Sequence, residues 1–499
     1  MAEGTGSCWP RRVRENGIVE YAAQQVAAGH GHPLGETAVY RSMRLPFVLA
    51  CSALLIAAPA AAAELARYTV TLDPELTTVT VEVTAARAVR ALSSASPTAA
   101  SRLVADQLQG TSLVDGVLRL QSSSSARRTR YSADIRPLTT RRGLLDRATD
   151  APLAISDPRL WLWLPEGFAV DDSVRIEFVL PPGIGVATPW RASNKGAPAA
   201  FVLRPLMLAE EGLVAFGSFS QRELMVGDAT LRLSIASTDT VEVARFNAWA
   251  EGVWRSTRAA VAAPPGSLEQ LLVVPVHTAR EAVPWGEVRR GAGNSVLALV
   301  QRQADATELK EDWTLYHELS HLYLPYLGGD RWLSEGFASY YQNVLRARAG
   351  VLAPEAAWQR LAEGLARGAQ GAKADQTVEE GGRMVTYWTG AALALEWDLA
   401  LRQASRGKES LDSVLARFAA AQLPAPEAWD AMRVAKALDG YAPAALGQDY
   451  FSRTMARTLA QRGFPDYLSS LAMAGIDPAT GSARVDAPPE YSGLMRRER

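Results

Sequence analysis

The sequence predicts a multidomain α+β protein with an antiparallel β domain first, a mixed α/β core next and a helical domain last. Three observations carry this expectation. From Tyr68 to about Val241, short runs alternate apolar and polar residues and are rich in β-branched types. After Asp239 the apolar spacing changes to a helical period. Beyond Gly350 nearly every periodic segment reads as helix. The expected spans are 64–240 for the β domain, 241–350 for the core and 351–480 for the helical domain, with a polar tail at 481–499.

The β domain rests on named runs. Tyr68–Leu72, Val79–Val83, Val174–Val179 and Leu231–Ile235 alternate strictly enough for strands with one solvated face. Pro181-Pro182-Gly183 stops the third, and Ser/Thr/Arg-rich stretches such as Ser93–Ser101 and Ser122–Thr129 read as surface loops. In the core, Val241–Ala262 has helical spacing closed by Pro264-Pro265-Gly266. Leu271–Val276 and Val296–Val300 are apolar runs of strand length, and Val296–Leu299 is expected to offer a sheet edge to an extended peptide. One helix is expected from about Thr307 to Leu324, ended by Pro325, and a second from Trp332 to Ala349, ended by Gly350. Further helices follow at Pro354–Ala366, Met384–Ser405, Ser410–Ala421 and Pro426–Leu438.

Composition narrows the function classes. Charged residues make up 21% and hydrophobic residues 48% of the chain, as in ordinary soluble domains. The formal net charge of −1 supplies no basic field for nucleic acid or an anionic membrane. At the start, Met43-Arg44, the apolar run Leu45–Ala58 and the small-residue stretch Ala61-Ala62-Ala63 have the order of an export signal with its cleavage site. Residues 43–63 are therefore expected to be a signal peptide, and 1–42 a non-native or upstream extension. The mature protein would be periplasmic or secreted and would have no membrane span, since the apolar run is too short to cross a bilayer. Both cysteines, Cys8 and Cys51, lie upstream of the cleavage site, so no disulfide is expected.

Chemistry concentrates in Tyr316-His317-Glu318-Leu319-Ser320-His321, which contains H-E-x-x-H. Four residues are little more than one helical turn, so the two imidazoles share a face and can hold one zinc ion. Glu318 projects one position further round, free of the metal and placed to take a proton from water. Of five histidines, His30 and His32 precede the cleavage site, leaving His277, His317 and His321. A chance pairing around a glutamate is improbable in so histidine-poor a chain. His277 stands alone after an apolar strand and reads as structural or substrate-contacting.

A catalytic zinc site takes three protein ligands. Glu335, in Trp332–Tyr341 at the start of the next helix, is the expected third donor, because Pro325 and Gly328-Gly329 let the chain turn back. A carboxylate there would otherwise complement the helix dipole. Asp330 is the second candidate donor.

At this point the chain resembles the gluzincins, and among them the glycyl aminopeptidases and, less closely, the aminopeptidase N family. The resemblance rests on His317–His321 and on Ser334-Glu-Gly-Phe-Ala-Ser-Tyr-Tyr341. It extends to Tyr387–Leu395, Asp398 and Ser410–Val414, and more loosely to Gly217–Phe219 and Gly291–Leu297. It implies a thermolysin-like α/β zinc core, one Zn2+ held by His317, His321 and Glu335, and peptide or protein substrates. It also implies a catalytic role for Tyr387, three residues before Gly390, as a donor to the oxyanion that forms when water attacks a carbonyl.

Two departures qualify the expected activity. The spacer from His321 to Glu335 is residues 322–334, shorter than in those families. Where they carry a glutamate for the substrate's free amine, this chain reads Arg290-Gly-Ala-Gly-Asn294, with Gly293 or Asn294 at the matching place and Glu287 as the nearest substitute. The leading expectation is an exported zinc metallopeptidase, with aminopeptidase action left open. The alternatives are a non-peptide zinc hydrolase and a catalytically idle binding protein on the same scaffold.

Overall fold

The computed structural model describes residues 63–496 apart from 105–106, 122–124, 137–151, 194–199, 209, 265, 278–280, 426 and 485. The expected upstream extension and nearly all of the expected signal peptide lie outside the described residues.

The first twelve strands, in chain order, are β1 (Glu64–Leu72), β2 (Thr78–Ala85), β3 (Ala91–Ser93), β4 (Thr111–Val114), β5 (Val117–Leu120), β6 (Arg127–Asp134), β7 (Leu153–Ser156), β8 (Leu164–Pro165), β9 (Ser173–Val179), β10 (Gly185–Ala187), β11 (Ala200–Leu203) and β12 (Val214–Gly217). They form sheets in the orders β11-β9-β1-β2-β6, β4-β5-β3-β8 and β10-β12-β7. Alternation sets which face is buried: Tyr68, Val70 and Leu72 of β1 and Val79, Val81 and Val83 of β2 all point inward. The large sheet is antiparallel except between β1 and β9, which run parallel, so the sheet is mixed where pure antiparallel pairing was expected. Two buried tyrosines tie it to the chain segment after β7. The Tyr68 hydroxyl donates to the Trp163 carbonyl at 2.7 Å and the Tyr131 hydroxyl to the Trp161 carbonyl at 3.0 Å.

The next sheet positions the chemistry. It comprises β13 (Ser220–Val226), β14 (Ala229–Ile235), β15 (Leu268–Val276), β16 (Trp285–Arg289) and β17 (Asn294–Gln301) in the order β13-β14-β15-β17-β16. The run Leu231–Ile235, which alternation alone groups with the preceding strands, pairs in parallel with β15 and belongs to this sheet. β15 and β17 are buried along almost their whole length, because both faces are covered. Leu271, Val273, Val296 and Ala298 pack toward the helices, whereas Leu272, Val274, Leu297 and Leu299 pack on Ala187, Leu213 and Ala215. β17 is not the edge expected of it. It is paired on one side by β15 and on the other by β16, so β16 is the outer strand.

Helix α1 (Thr240–Ala260) begins at Asp239, whose carboxylate accepts from the Val241 and Glu242 N–H groups at 2.9 Å each, and it lays Phe246, Val253 and Trp254 on the sheet. The single helix expected over Thr307–Leu324 is two: α2 (Ala306–Glu311) and α3 (Thr314–Ser320), followed by a 3-10 turn at His321–Tyr323. The break lies at Asp312, where the Oδ1 atom accepts from the Thr314 N–H at 2.7 Å and starts a new helix. The remaining helices are α4 (Arg331–Arg348), α5 (Pro354–Gly371), α6 (Arg383–Ser405), α7 (Leu411–Gln422), α8 (Ala431–Asp439), α9 (Tyr450–Ala460) and α10 (Tyr467–Met473). This gives the β-rich first part and helical C-terminal region that the sequence predicts.

α4 and α6 cross on glycine. A Cβ at Gly336 would stand 2.2 Å from the Gly390 Cα, and one at Gly390 would stand 2.4 Å from the Trp332 carbonyl oxygen. The buried Asp398 then locks three helices together. It accepts from the Tyr340 hydroxyl of α4 at 2.7 Å, the Arg402 Nε of α6 at 3.0 Å and the Leu411 N–H of α7 at 2.9 Å. Its place in the motif pattern is therefore structural. Among the described residues, no helix is long and apolar enough to cross a membrane.

Candidate active site

α3 is short and almost wholly buried, with its start fixed by Asp312 and its end by a cation. The Arg290 Nη2 atom donates to the His321 carbonyl at 2.6 Å, satisfying a carbonyl at the helix end. Burial lowers the Arg290 pKa to about 10, so the guanidinium stays charged. This frame holds His317 on the last turns of α3 and His321 on the 3-10 turn, with ring centroids 4.9 Å apart.

α4 returns across the two histidines despite the short spacer. The Glu335 Oε2 atom lies 3.3 Å from the His317 Nε2 and 3.8 Å from the His321 Nε2. The other carboxylate oxygen faces Arg331, with Oε1 at 3.2 Å from Nη2. α4 also supplies the partners behind the rings. The His317 Nδ1 meets the Gln342 Oε1 at 2.9 Å, and the His321 Nδ1 meets the Ser334 Oγ at 2.9 Å. An amide oxygen accepts only, so His317 donates its Nδ1–H to Gln342 and presents Nε2 to Glu335.

The protonation of the group follows from its surroundings. Burial disfavours ionised Glu335, but the hydrogen bond to His317 and the charges of His321, His317 and Arg331 outweigh it and hold the carboxyl well below the usual range. Burial drives the His321 pKa down to about 3 against the pull of Glu335. For His317 burial also opposes the charge, and the Glu335 and Glu318 carboxylates more than compensate, leaving its pKa raised.

One ligand atom from each of His317, His321 and Glu335 falls within 4.8 Å of the other two, the only such His/Cys/Asp/Glu group among the described residues. A tetrahedral ion with bonds of 2.0–2.1 Å would set its ligand atoms about 3.3 Å apart. Two imidazole lone pairs facing one carboxylate oxygen repel unless a cation or proton lies between them. The donor set, its spacing and the Nδ1 partners therefore fit a zinc ion with a position left open.

Glu318 lies on the same helix against the outer strand. A Cβ at Gly286 of β16 would come within 2.5 Å of the Glu318 Cγ and 2.9 Å of its Oε1, so only glycine leaves the carboxylate its place. Tyr387 comes from α6, one turn before the glycine crossing. Its ring stacks on His317 with centroids 6.0 Å apart and planes at 14°. Burial raises the phenol pKa, and the nearby negative charge of Glu335 adds to the effect. The phenol is thus held neutral, as a donor.

The other candidates fall elsewhere. Asp330 accepts from the Trp332 Nε1 at 3.3 Å and from the Ala431 N–H at 2.7 Å, tying α4 to α8. His277 is exposed after β15. Glu287 faces away from α3: on β16 the positions toward the helix are Gly286 and Val288, while Glu287 pairs with Arg289 at 3.2 Å. The Arg290–Asn294 block is the β16–β17 turn, docked through the Gly291 N–H on the Glu211 carbonyl at 2.8 Å. Ser334, Gln342, Arg331 and Gly286 were missed. Gln342 sits seven residues after Glu335, two turns along one helix face, a spacing that would have pointed to it.

Comparison with known proteins agrees with this picture. Residues 325–403 match the family model of the M61 glycyl aminopeptidases. No curated protein matches the chain by sequence. An aminopeptidase N family protein from Idiomarina loihiensis superposes with a TM-score of 0.63 at 15% identity, over 82% of this chain and 78% of that one. Native yeast LTA4 hydrolase superposes with a TM-score of 0.51 at 12% identity, over 82% of this chain and 70% of that one. Residues 325–403 thus resemble the M61 glycyl aminopeptidases, and the chain shares its fold with an aminopeptidase N family protein.

Proposed function

We propose that this protein is an exported zinc metallopeptidase that hydrolyses peptide bonds with Glu318 as its general base. One observation carries the reading: His317, His321 and Glu335 converge on one point while Glu318, on the same helix, lies against the outer strand of the sheet. His317, His321 and Glu335 would hold the ion. A zinc ion bound there supplies Lewis acidity, polarising the scissile carbonyl and lowering the pKa of water toward ~7. β16, the outer strand of its sheet among the described residues, would give an extended peptide a partner for its backbone. Glu318 takes a proton from the attacking water and delivers it to the leaving amine. Tyr387 donates a hydrogen bond to the oxygen on which negative charge develops.

Aminopeptidase action would require an anion for the substrate's free amine. The α3-facing positions of β16 are Gly286 and Val288, and neither can pair with an ammonium group. This supports cleavage that does not depend on a free N-terminus. The test is to incubate the zinc-loaded chain with matched free and N-acetylated peptides. Cleavage of both, abolished by Glu318→Gln, is expected. Cleavage of free peptides alone would restore the aminopeptidase reading, and cleavage of neither would favour a non-peptide hydrolase or an idle site.

A further inference from the structure

α4, α5 and α6 enclose a cavity of about 400 Å3 beside the metal-ligand group. It begins at the site itself. Trp313 and Tyr387 both line it, and their rings flank His317 with centroids at 5.5 and 6.0 Å. The cavity wall therefore begins at the two rings packed against a candidate metal ligand.

The lining has a strong charge bias. Arg346, Arg360, Arg367 and Arg383 all contribute to it, and Glu363 is its one carboxylate. Arg383 lies over the Tyr387 ring at 5.5 Å and Arg367 over the Trp388 ring at 5.4 Å, so both guanidinium planes are held by aromatic walls. Arg346 is 2% exposed; its Nη2 donates to the Glu311 carbonyl, and its Nε has no partner. Burial and the neighbouring Arg360 charge lower the Arg346 pKa to about 10. Among the described residues, Arg346, Arg360 and Arg367 make no ion pair with a carboxylate. Arg346 is the one buried cation of the four, with Arg360, Arg367 and Arg383 exposed around it, and a carboxylate entering the cavity would meet their charges through charge-assisted hydrogen bonds.

We propose that this cavity is a substrate subsite for a carboxylate, carried by a residue next to the scissile bond either as an acidic side chain or as the peptide's C-terminus. The assignment rests on the peptidase reading for its substrate, but the binding it describes does not require turnover. Arg360 and Arg367 are exposed at the cavity rim and can be replaced without opening the core. Arg346 is the buried anchor.

The test uses the full zinc-loaded chain and peptides that differ only by Glu or Gln on either side of the cleaved bond, each with a free or amidated C-terminus. The wild type is expected to favour the carboxylate-bearing peptide by about tenfold or more in kcat/KM. In Arg360→Gln and Arg367→Gln that Glu:Gln ratio should fall toward one, and in Arg360→Glu it should invert in favour of the Gln peptide. A preference tracking the side chain, or one tracking the free C-terminus, identifies the source of the carboxylate. Zinc content and circular dichroism confirm that each variant is folded. In parallel, binding of N-acetylglutamate and N-acetylglutamine to the wild type and to Arg360→Gln is followed by NMR. Selective, Arg360-dependent binding of the glutamate without cleavage of any peptide would keep the subsite and overturn the peptidase reading. Peptide cleavage with no discrimination between Glu and Gln in the wild type would overturn the subsite.

Discussion

Gly286 and Glu318 touch across the gap between the outer strand and the zinc-motif helix so closely that a methyl group on Gly286 would overlap the Glu318 side chain. The contact fixes the proposed general base from the side of the strand. Thr314, whose Cγ2 would stand 2.9 Å from the same methyl, closes the remaining direction. Gly286→Ala should therefore displace the carboxylate while leaving His317, His321 and Glu335 in place. The expected result is a fall in kcat of about 10²-fold with full zinc content, since misplacing a catalytic group by about 1 Å costs that much. Unchanged kcat would show that Glu318 does not need this position.

The crossing of α4 and α6 gives a second expectation. A Cβ at Gly336 or Gly390 meets backbone atoms, which cannot swing aside. Gly336→Ala and Gly390→Ala should each destabilise the fold by about 3 kcal/mol, toward the upper end of the overpacking range. Near-neutral stability in denaturant titration would contradict the close crossing. Because Tyr387 lies one turn from Gly390, any folded fraction should also lose the stacking on His317.

Gln342 is expected to tune the metal. Its amide oxygen fixes the His317 proton on Nδ1 and so keeps Nε2 free as a donor. Gln342→Leu should weaken zinc affinity about 10–100-fold in a chelator competition, whereas Gln342→Glu, which preserves the acceptor, should not. Equal affinity in all three proteins would mean that the ring is oriented by other contacts.

Asp312 gives a pH signature away from the metal ligands. Burial raises its pKa from 3.8 to about 6, against the opposing hydrogen bonds from Thr314 and Val283 and the charge of Arg346. A carboxyl raised in the folded state contributes its full stability below pH ~4 and loses it as pH climbs through ~6. Above pH 7 the ionised group costs on the order of 2–3 kcal/mol. Asp312→Asn should thus gain stability relative to wild type between pH 4 and pH 8. A difference that stays constant with pH would remove Asp312 as its cause.

The sequence showed some of this and hid the rest for identifiable reasons. His317, Glu318 and His321 are readable because helical spacing alone puts them on one face. Glu335 follows from the need for a third donor, and the glycine three residues after Tyr387 proves to be the helix crossing itself. β16 was not legible, because five residues containing a glycine and alternating charges look like loop, and its strand character comes from pairing with β17. The same pairing removed β17 from the sheet edge. The parallel pairing of β1 with β9 is set by a partner about a hundred residues distant, which local alternation does not encode. The four arginines of the cavity are spread over 346–383 and become neighbours only when α4, α5 and α6 pack.

The central claim is that two imidazoles and one carboxylate grip a single zinc ion, and metal analysis of the purified chain beside its Glu335→Ala and Glu318→Gln variants tests it most directly. The expected result is about one zinc per chain in the wild type and in Glu318→Gln, with little in Glu335→Ala, as three protein ligands and a free general base require. Equal zinc in Glu335→Ala, or a wild-type chain that takes up no metal from a zinc-containing buffer, would contradict the account.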